Sequence, residues 1–368
     1  MSAPSRSCAV LTIDLDAVAT NYAHLSSAAG GAEVCAVVKA DAYGLGMARV
    51  APVLARAGCK RFFVALIDEG IALRTLLADA EIHVLNGLLP GTEADFDEHR
   101  LIPVLNSREQ VHDWARHCER LGQRLPADLH IDSGMNRLGM GAAETQALID
   151  DQDDLGRMHV EFMVSHLACA EEREAAMNSE QLDRFNTARA RLPAAATCFA
   201  NSSGIFLGPA YCFDAVRPGC AIYGVNPTPD TPNQMSQVVH LQGKIVQTHD
   251  VDSPMSVGYG ATHRIEKKRK IATVAVGYAD GYLRSLSNRG TAYVGDVRAP
   301  ILGRVSMDLI TIDVSNAPER LIRPGHFVDL IGPHNPVDVV AENAGTIGYE
   351  ILTGLGARYH RDYVGGDA

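Results

Sequence analysis

Lys39 is the first residue whose setting suggests chemistry. It follows Val34-Cys35-Ala36-Val37-Val38, an apolar run of strand type, and precedes Ala40-Asp41-Ala42-Tyr43-Gly44. A lysine at the carboxyl end of a buried strand sits on the face where barrel enzymes keep their sites. Partial desolvation there disfavours the ammonium, and a lysine of lowered pKa readily condenses with a carbonyl group. Taken alone, the residue can equally be a lysine snorkelling to the surface. A second set of residues could hold an anion. Asn201-Ser202-Ser203-Gly204 and Arg217-Pro218-Gly219-Cys220 each follow a short strand-like run. Both offer small side chains and free N–H groups, which suit a phosphate, although two plain glycine turns would read the same way.

These groups need a frame. Up to about residue 225, short β-branched runs alternate with polar, helix-forming stretches. The runs are Val34–Val38, Arg61–Ala65, Ile82–Leu85, Ile102–Leu105, Asp128–Ile131, His159–Val164, Thr197–Phe199 and Phe213–Val216. Between them, Met47–Ala57, Glu69–Ala78, Arg108–Leu121, Glu144–Asp150 and Ser179–Ala190 carry apolar residues at helical spacing. Eight such units predict a closed (β/α)8 barrel of parallel strands. The rival, a doubly wound open sheet, would show a G-x-G-x-x-G turn after its first strand, and Lys39-Ala40-Asp41-Ala42-Tyr43-Gly44 does not match. Pro227-Thr228-Pro229-Asp230-Thr231-Pro232 is the best boundary in the chain. Beyond it, Gly243–Thr248, Lys270–Val276, Thr291–Val294, Leu309–Val314 and Phe327–Ile331 read as strands joined by short turns, with one helix at Val337–Ala344. The expected organisation is therefore a barrel over residues 1–230 and a mostly antiparallel β domain over 231–368. A phosphate on the loops after strands seven and eight, facing a lysine after strand one, is the arrangement pyridoxal 5'-phosphate needs.

Composition narrows the class. The 368 residues fit about two domains. With 33 Lys and Arg against 44 Asp and Glu, the net charge is −11 and no broad nucleic-acid face is expected. The basic run Lys267–Lys270 reads as a solvated turn. No apolar run reaches the roughly 18 residues of a spanning helix. Asp14 and Asp16 interrupt the early apolar stretch, so no secretory signal is expected and the protein is placed in the cytoplasm. Among the 8 cysteines none is spaced C-x-x-C, which points to reduced, mostly buried thiols and no metal site.

The chain resembles the alanine racemases. Val37-Val38-Lys39-Ala40-Asp41-Ala42-Tyr43-Gly44-Leu45-Gly46 is similar to that family's lysine signature. The resemblance continues through Asp132-Ser133-Gly134-Met135-Asn136-Arg137-Leu138-Gly139, Ser165-His166, Ala200-Asn201-Ser202 and Val216-Arg217-Pro218-Gly219. In the second half it covers Val257-Gly258-Tyr259-Gly260-Ala261-Thr262, Gly277-Tyr278-Ala279-Asp280-Gly281 and Gly303-Arg304-Val305-Ser306-Met307-Asp308. It implies a barrel followed by a β domain, paired head to tail as a homodimer. It also implies a pyridoxal-phosphate isomerase that interconverts L- and D-alanine, either supplying D-alanine to peptidoglycan or breaking it down.

The resemblance assigns roles residue by residue. Lys39 would form the Schiff base with the cofactor and act as base on one face of the substrate. Tyr259, reaching in from the partner subunit, would be the base on the other. His166 and Arg217 would poise Tyr259, because a tyrosine of ordinary pKa near 10 is a poor base at neutral pH. Arg217 would face the pyridine nitrogen and, being always protonated, can only donate to it. Tyr43, Asn201, Ser202, Gly219 and Cys220 would hold the cofactor, the last two through backbone N–H groups. Arg137 and Met307 would hold the substrate carboxylate, and Tyr278, Arg284 and Arg304 would line the approach. Two positions depart from the family pattern. His130 stands where many members carry a carbamylated lysine paired with the arginine matching Arg137, so another group or an anion is expected to orient that arginine. Ala357 stands where a phosphate-binding tyrosine is expected, which leaves Tyr359 or water to replace it. A broader amino-acid racemase and a fold-related decarboxylase are the enzymic alternatives, the second disfavoured by Arg217 and Tyr259. A non-catalytic cofactor-binding protein would be a lone barrel, without the second domain.

Overall fold

The computed structural model describes residues 5–366. Nine parallel strand segments form the barrel: Glu33–Val34, Ala36–Val37, Arg61–Val64, Glu81–Val84, Ile102–Leu105, Pro126–His130, His159–Val164, Ala196–Asn201 and Ala215–Arg217. The first two are halves of one strand. Glu33–Val34 pairs with Ala215–Arg217, whereas Ala36–Val37 pairs with Arg61–Val64. The break at Cys35 leaves a nearly closed barrel of eight staves, at the places the β-branched runs predict. Inward side chains of alternate staves meet in its interior, as barrel geometry requires. One such group is polar. His83 Nδ1 lies 2.7 Å from Asp128 Oδ2, and the free thiol of Cys35 hydrogen-bonds the free thiol of Cys198, all four residues being fully buried.

The outer helices form where the sequence provides both a stripe and caps. Arg108–Leu121 is an example. Ser107 accepts the Gln110 N–H at 3.2 Å, Gly122 ends the helix at φ 64°, and Val111, Trp114, Ala115 and Cys118 face the staves.

The second sheet has eight strands. Seven come from the second half: Val239–Val251, Arg269–Val274, Thr291–Val294, Val297–Pro300, Ile310–Asp313, Phe327–Ile331 and His360–Val364. The eighth is Ala9–Asp14, which opens the chain yet pairs antiparallel with Val239–Val251 and parallel with His360–Val364. Sheet membership therefore does not follow a single cut at residue 230. The apolar content of Ala9–Asp14 marks a strand, but only its distant partners decide which sheet takes it. Helix Leu15–Ala28 then carries the chain from this sheet into the barrel. Among the described residues no helix is long and apolar enough to cross a membrane.

Candidate active site

The turn after the first stave has an unusual backbone. Ala40, Asp41, Ala42 and Tyr43 all have φ between 52° and 55°, one turn of left-handed helix without a glycine in it. Each such residue costs roughly 1–2 kcal/mol. The surroundings hold it in place. Asp41 Oδ1 accepts the Met47 N–H at 2.7 Å, and Glu69 Oε1 accepts the Ala40 N–H at 2.6 Å. Arg361 donates to Gly44 O at 2.6 Å and Tyr363 to Leu45 O at 3.1 Å, so the second sheet grips the turn from outside. Gly44 itself has φ 81°, and a Cβ there would lie 2.5 Å from Leu352 O.

This turn brings Lys39 to a cavity of about 610 Å³ at the carboxyl ends of the staves. Lys39, Tyr43, His130, Arg137, His166, Asn201, Ser202, Arg217, Gly219 and Cys220 all line it. Burial, followed by the guanidinium of Arg137, lowers the Lys39 pKa; the Glu69 carboxylate partly opposes this. His166 is held well below the usual histidine range by burial and then by Arg217 and Arg137. Burial, with Arg217, pushes His130 down to about 4. Both imidazoles are therefore neutral near pH 7. The tautomer of His130 follows from its neighbour. Asn106 Nδ2 donates to Leu85 O and Val104 O, which leaves Asn106 Oδ1 as the acceptor of a 2.6 Å bond from His130 Nδ1. The proton is thus on Nδ1, and Nε2 is a bare acceptor.

Arg217 is buried and donates to Cys198 O at 2.6 Å and Ser165 O at 2.5 Å. It has no carboxylate partner among the described residues. Asp214, the nearest acid in sequence, accepts the Thr197 N–H instead, at 2.8 Å. Arg137 lines the cavity with no hydrogen bond or ion pair to another described residue. At the other end, Ser202 Oγ accepts the Gly219 N–H at 3.0 Å and the Ala221 N–H at 3.3 Å, and its hydroxyl is within reach of the Cys220 sulfur. Within the chain the Gly219 N–H is thus already engaged. Cys220 opens a short 3-10 turn, so its N–H has no acceptor inside that turn. Asn201 Oδ1 caps Gly204 at 2.9 Å and shapes the loop. A Cβ on Gly219 would meet the Tyr43 hydroxyl at 2.1 Å, so only glycine fits there.

The cavity also contains residues that the sequence reading missed. Tyr349, on the helix Gly348–Thr353, lines it and accepts a 2.9 Å bond from the Cys220 thiol. Its ring centre lies 6.1 Å from that of Tyr43. A tyrosine thus stands at the cavity on this helix, not at the position of Ala357. Tyr359 is buried outside the cavity, with no partner for its hydroxyl among the described residues. Glu171, from the acidic loop after the sixth stave, is a further lining residue.

Three candidates lie elsewhere in the single chain. Tyr259 is 72% exposed, Met307 54% and Tyr278 42%. Tyr259 starts a 3-10 turn between the two short strands Ser256–Val257 and His263–Arg264. Gly258 and Gly260 flank it with φ 77° and 71°, and a Cβ on Gly260 would lie 3.1 Å from Arg304 Nη1. The Tyr278 and Met307 loops are packed together. Tyr278 N–H donates to Ser306 O and Ala279 N–H to Met307 O, and Arg358 joins Asp280 to Asp308 with contacts of 3.0 and 2.8 Å.

Comparisons with known proteins agree with this geometry. Residues 13–227 match the family model "Alanine racemase, N-terminal domain" and residues 238–363 match "Alanine racemase, C-terminal domain". The alanine racemase of Rhodospirillum rubrum is 50% identical over 367 residues, covering 99% of this chain and 98% of that protein. The catabolic alanine racemase of Mesorhizobium japonicum is 48% identical over 359 residues, covering 97% and 94%. The crystal structure of alanine racemase from Bartonella henselae with covalently bound pyridoxal phosphate superposes with a TM-score of 0.94 at 39% identity, covering 97% of this chain and 100% of that one. The chain belongs to the alanine racemase family.

Proposed function

We propose that this alanine racemase works through two bases held on different subunits, Lys39 of one and Tyr259 of its partner. The observation that carries the reading is the cavity itself: a buried lysine of lowered basicity stands in it beside the unpaired guanidinium of Arg137. The residues present fit pyridoxal 5'-phosphate. Lys39 Nζ offers the amine, Arg217 a donor that cannot give up its proton, and Tyr43, Ser202, Tyr349 and the Cys220 N–H a set of donors at the phosphate end. When bound, this cofactor draws electrons from the substrate and acidifies its Cα–H.

The chain's own groups do the rest. Arg137 and the backbone of the partner's Met307 hold the substrate carboxylate, and Tyr278 narrows the approach. Lys39 moves the proton on one face of Cα. Inversion needs a second base on the opposite face. Within one chain the cavity's other titratable side chains include His166 and His130, both made weak bases by burial and by neighbouring guanidinium groups, Tyr43, Tyr349 and Cys220, whose protons burial holds more tightly, and Glu171. Tyr259 is exposed on the second domain and is free to enter a partner's cavity. In this reading residues 1–230 carry the cofactor, residues 231–368 lend the second base, and Ala9–Asp14 ties the two together. The homodimer is the active unit and resides in the cytoplasm. Arg217 speaks against a decarboxylase, which would place an acid at the ring nitrogen.

Chiral chromatography of L- and D-alanine incubated with the holoenzyme, beside serine, lysine and arginine, tests the assignment. Interconversion of alanine in both directions is expected, with much slower turnover of the others. Equal rates on serine or lysine would replace it with a broad-specificity racemase.

A further inference from the structure

We propose that Glu69 is a positioning residue for Lys39, fixing the left-handed turn that carries the lysine and setting the charge the amine experiences. This rests on the reading of Lys39 as the cofactor's lysine. The Glu69 carboxylate lies where the first and second staves end. Its Oε1 accepts the Ala40 N–H at 2.6 Å, and its Oε2 accepts those of Ala65 and Leu66 at 2.8 and 3.1 Å. Two of these bonds cap the helix Ile67–Leu76, a common role for a glutamate in the first turn. The third crosses to the residue directly after Lys39. Ala40 is the first of the four left-handed residues, and an N–H in that conformation has no regular helical or strand acceptor to satisfy it.

The charge acts on the same atom group. Lys39 faces the guanidinium groups of Arg137 and Arg217 and the neutral rings of His166 and His130. Glu69 is the anion that offsets the two arginines, so it raises the lysine's affinity for a proton while the rest of the site lowers it. The carboxylate thus links the lysine's place to its basicity. A glutamine retains one acceptor oxygen but loses the charge and presents an amide N–H₂ to backbone donors. An aspartate retains the charge on a shorter stem.

The test is competitive acetylation of full-length protein freed of cofactor. Acetic anhydride is the probe, and the Lys39 peptide is read by mass spectrometry as a function of pH. Removing the anion lowers the lysine's pKa. In Glu69→Gln the Lys39 labelling midpoint is therefore expected at lower pH by about half a unit, or roughly three-fold more labelling on the acid side. Glu69→Asp is expected to restore most of the midpoint. A midpoint in Glu69→Gln equal to wild type, with only a lower melting temperature, would reduce Glu69 to a helix cap and overturn the proposal. Should both variants fail to fold, amide hydrogen exchange on the wild-type protein decides. Ala40 is expected to exchange as slowly as Leu66, and fast exchange at Ala40 overturns the proposal. Borohydride reduction of the holoenzyme separates the two readings. A pyridoxyl group trapped on Lys39 supports its role whatever Glu69 does, and trapping on another lysine overturns both.

Discussion

Proton removal and return on opposite faces of one carbon make separable demands on Lys39 and Tyr259. Lys39→Ala is expected to abolish the long-wavelength absorbance of the holoenzyme together with activity. Tyr259→Phe is expected to retain the absorbance and lose racemisation by roughly 10²-fold or more, the usual weight of a positioned acid–base group. Full activity of Tyr259→Phe in both directions would overturn its role. His130 allows a test by pH. Its ring titrates at about 4 in the folded chain against about 6.5 unfolded. Above pH ~6.5 both states carry a neutral ring. As pH falls the unfolded chain takes up the proton first, so stability declines until about pH 4, and His166 adds a loss of the same sign. Urea midpoints are expected to fall between neutrality and pH ~5, and less so in His130→Gln, which cannot titrate. An equal fall in the variant would show that His130 is not the source. Bicarbonate is expected to leave activity unchanged, because an imidazole holds no stable carbamate. Lys39, Tyr259 and His130 were legible through blocks that resemble the family's signatures or, for His130, through a departure from its pattern. Tyr349 and Glu69 were not. Glu69 opens a stretch that reads as an ordinary helix, the residues around Tyr349 carried no expected element, and only the fold shows what these side chains reach.

At the scale of elements, hydrophobic period placed the staves well because each is a short apolar run closed by a turn. The break at Cys35 and the allegiance of Ala9–Asp14 escaped, since both depend on distant partners rather than local pattern. The left-handed turn also escaped. Ala-Asp-Ala-Tyr has no glycine to announce positive φ, and tertiary bonds from Glu69, Arg361 and Tyr363 impose it. This turn joins the domains, which predicts a contrast between two glycines. Gly44→Ala adds a left-handed penalty and sets a Cβ 2.5 Å from Leu352 O, whereas Gly122→Ala at φ 64° meets nothing within 4 Å. The Gly122 change is expected to cost about 1 kcal/mol, and the Gly44 change more, with loss of bound cofactor. Thermal unfolding and retained absorbance measure both. Equal costs would mean that the contact between the turn and helix Gly348–Thr353 gives way freely.

At the scale of the molecule, Tyr259, Tyr278 and Met307 lie away from the cavity that Lys39 lines in the same chain. Tyr259, Tyr278, Met307 and Leu309 are exposed on the second domain at 72%, 42%, 54% and 40%, and Ile347 at the cavity rim is 59% exposed. Large apolar and aromatic groups left exposed on the second domain suit cover by a second copy. If Lys39 and Tyr259 of one site come from different subunits, two inactive variants must complement each other. A dimer of one Lys39→Ala chain and one Tyr259→Phe chain has one site with both residues intact and one with neither. Random reassociation of equal amounts makes half the dimers mixed, so activity is expected to recover to about a quarter of wild type. If both bases served the same chain's cavity, every subunit would lack one of them and no mixture would regain activity. The recovered activity should also fall on dilution as the mixed dimers dissociate, and return on concentration. An unchanged specific activity across dilution would indicate a dimer too tight to exchange, and the mixture must then be made by co-expression, where the same quarter is expected.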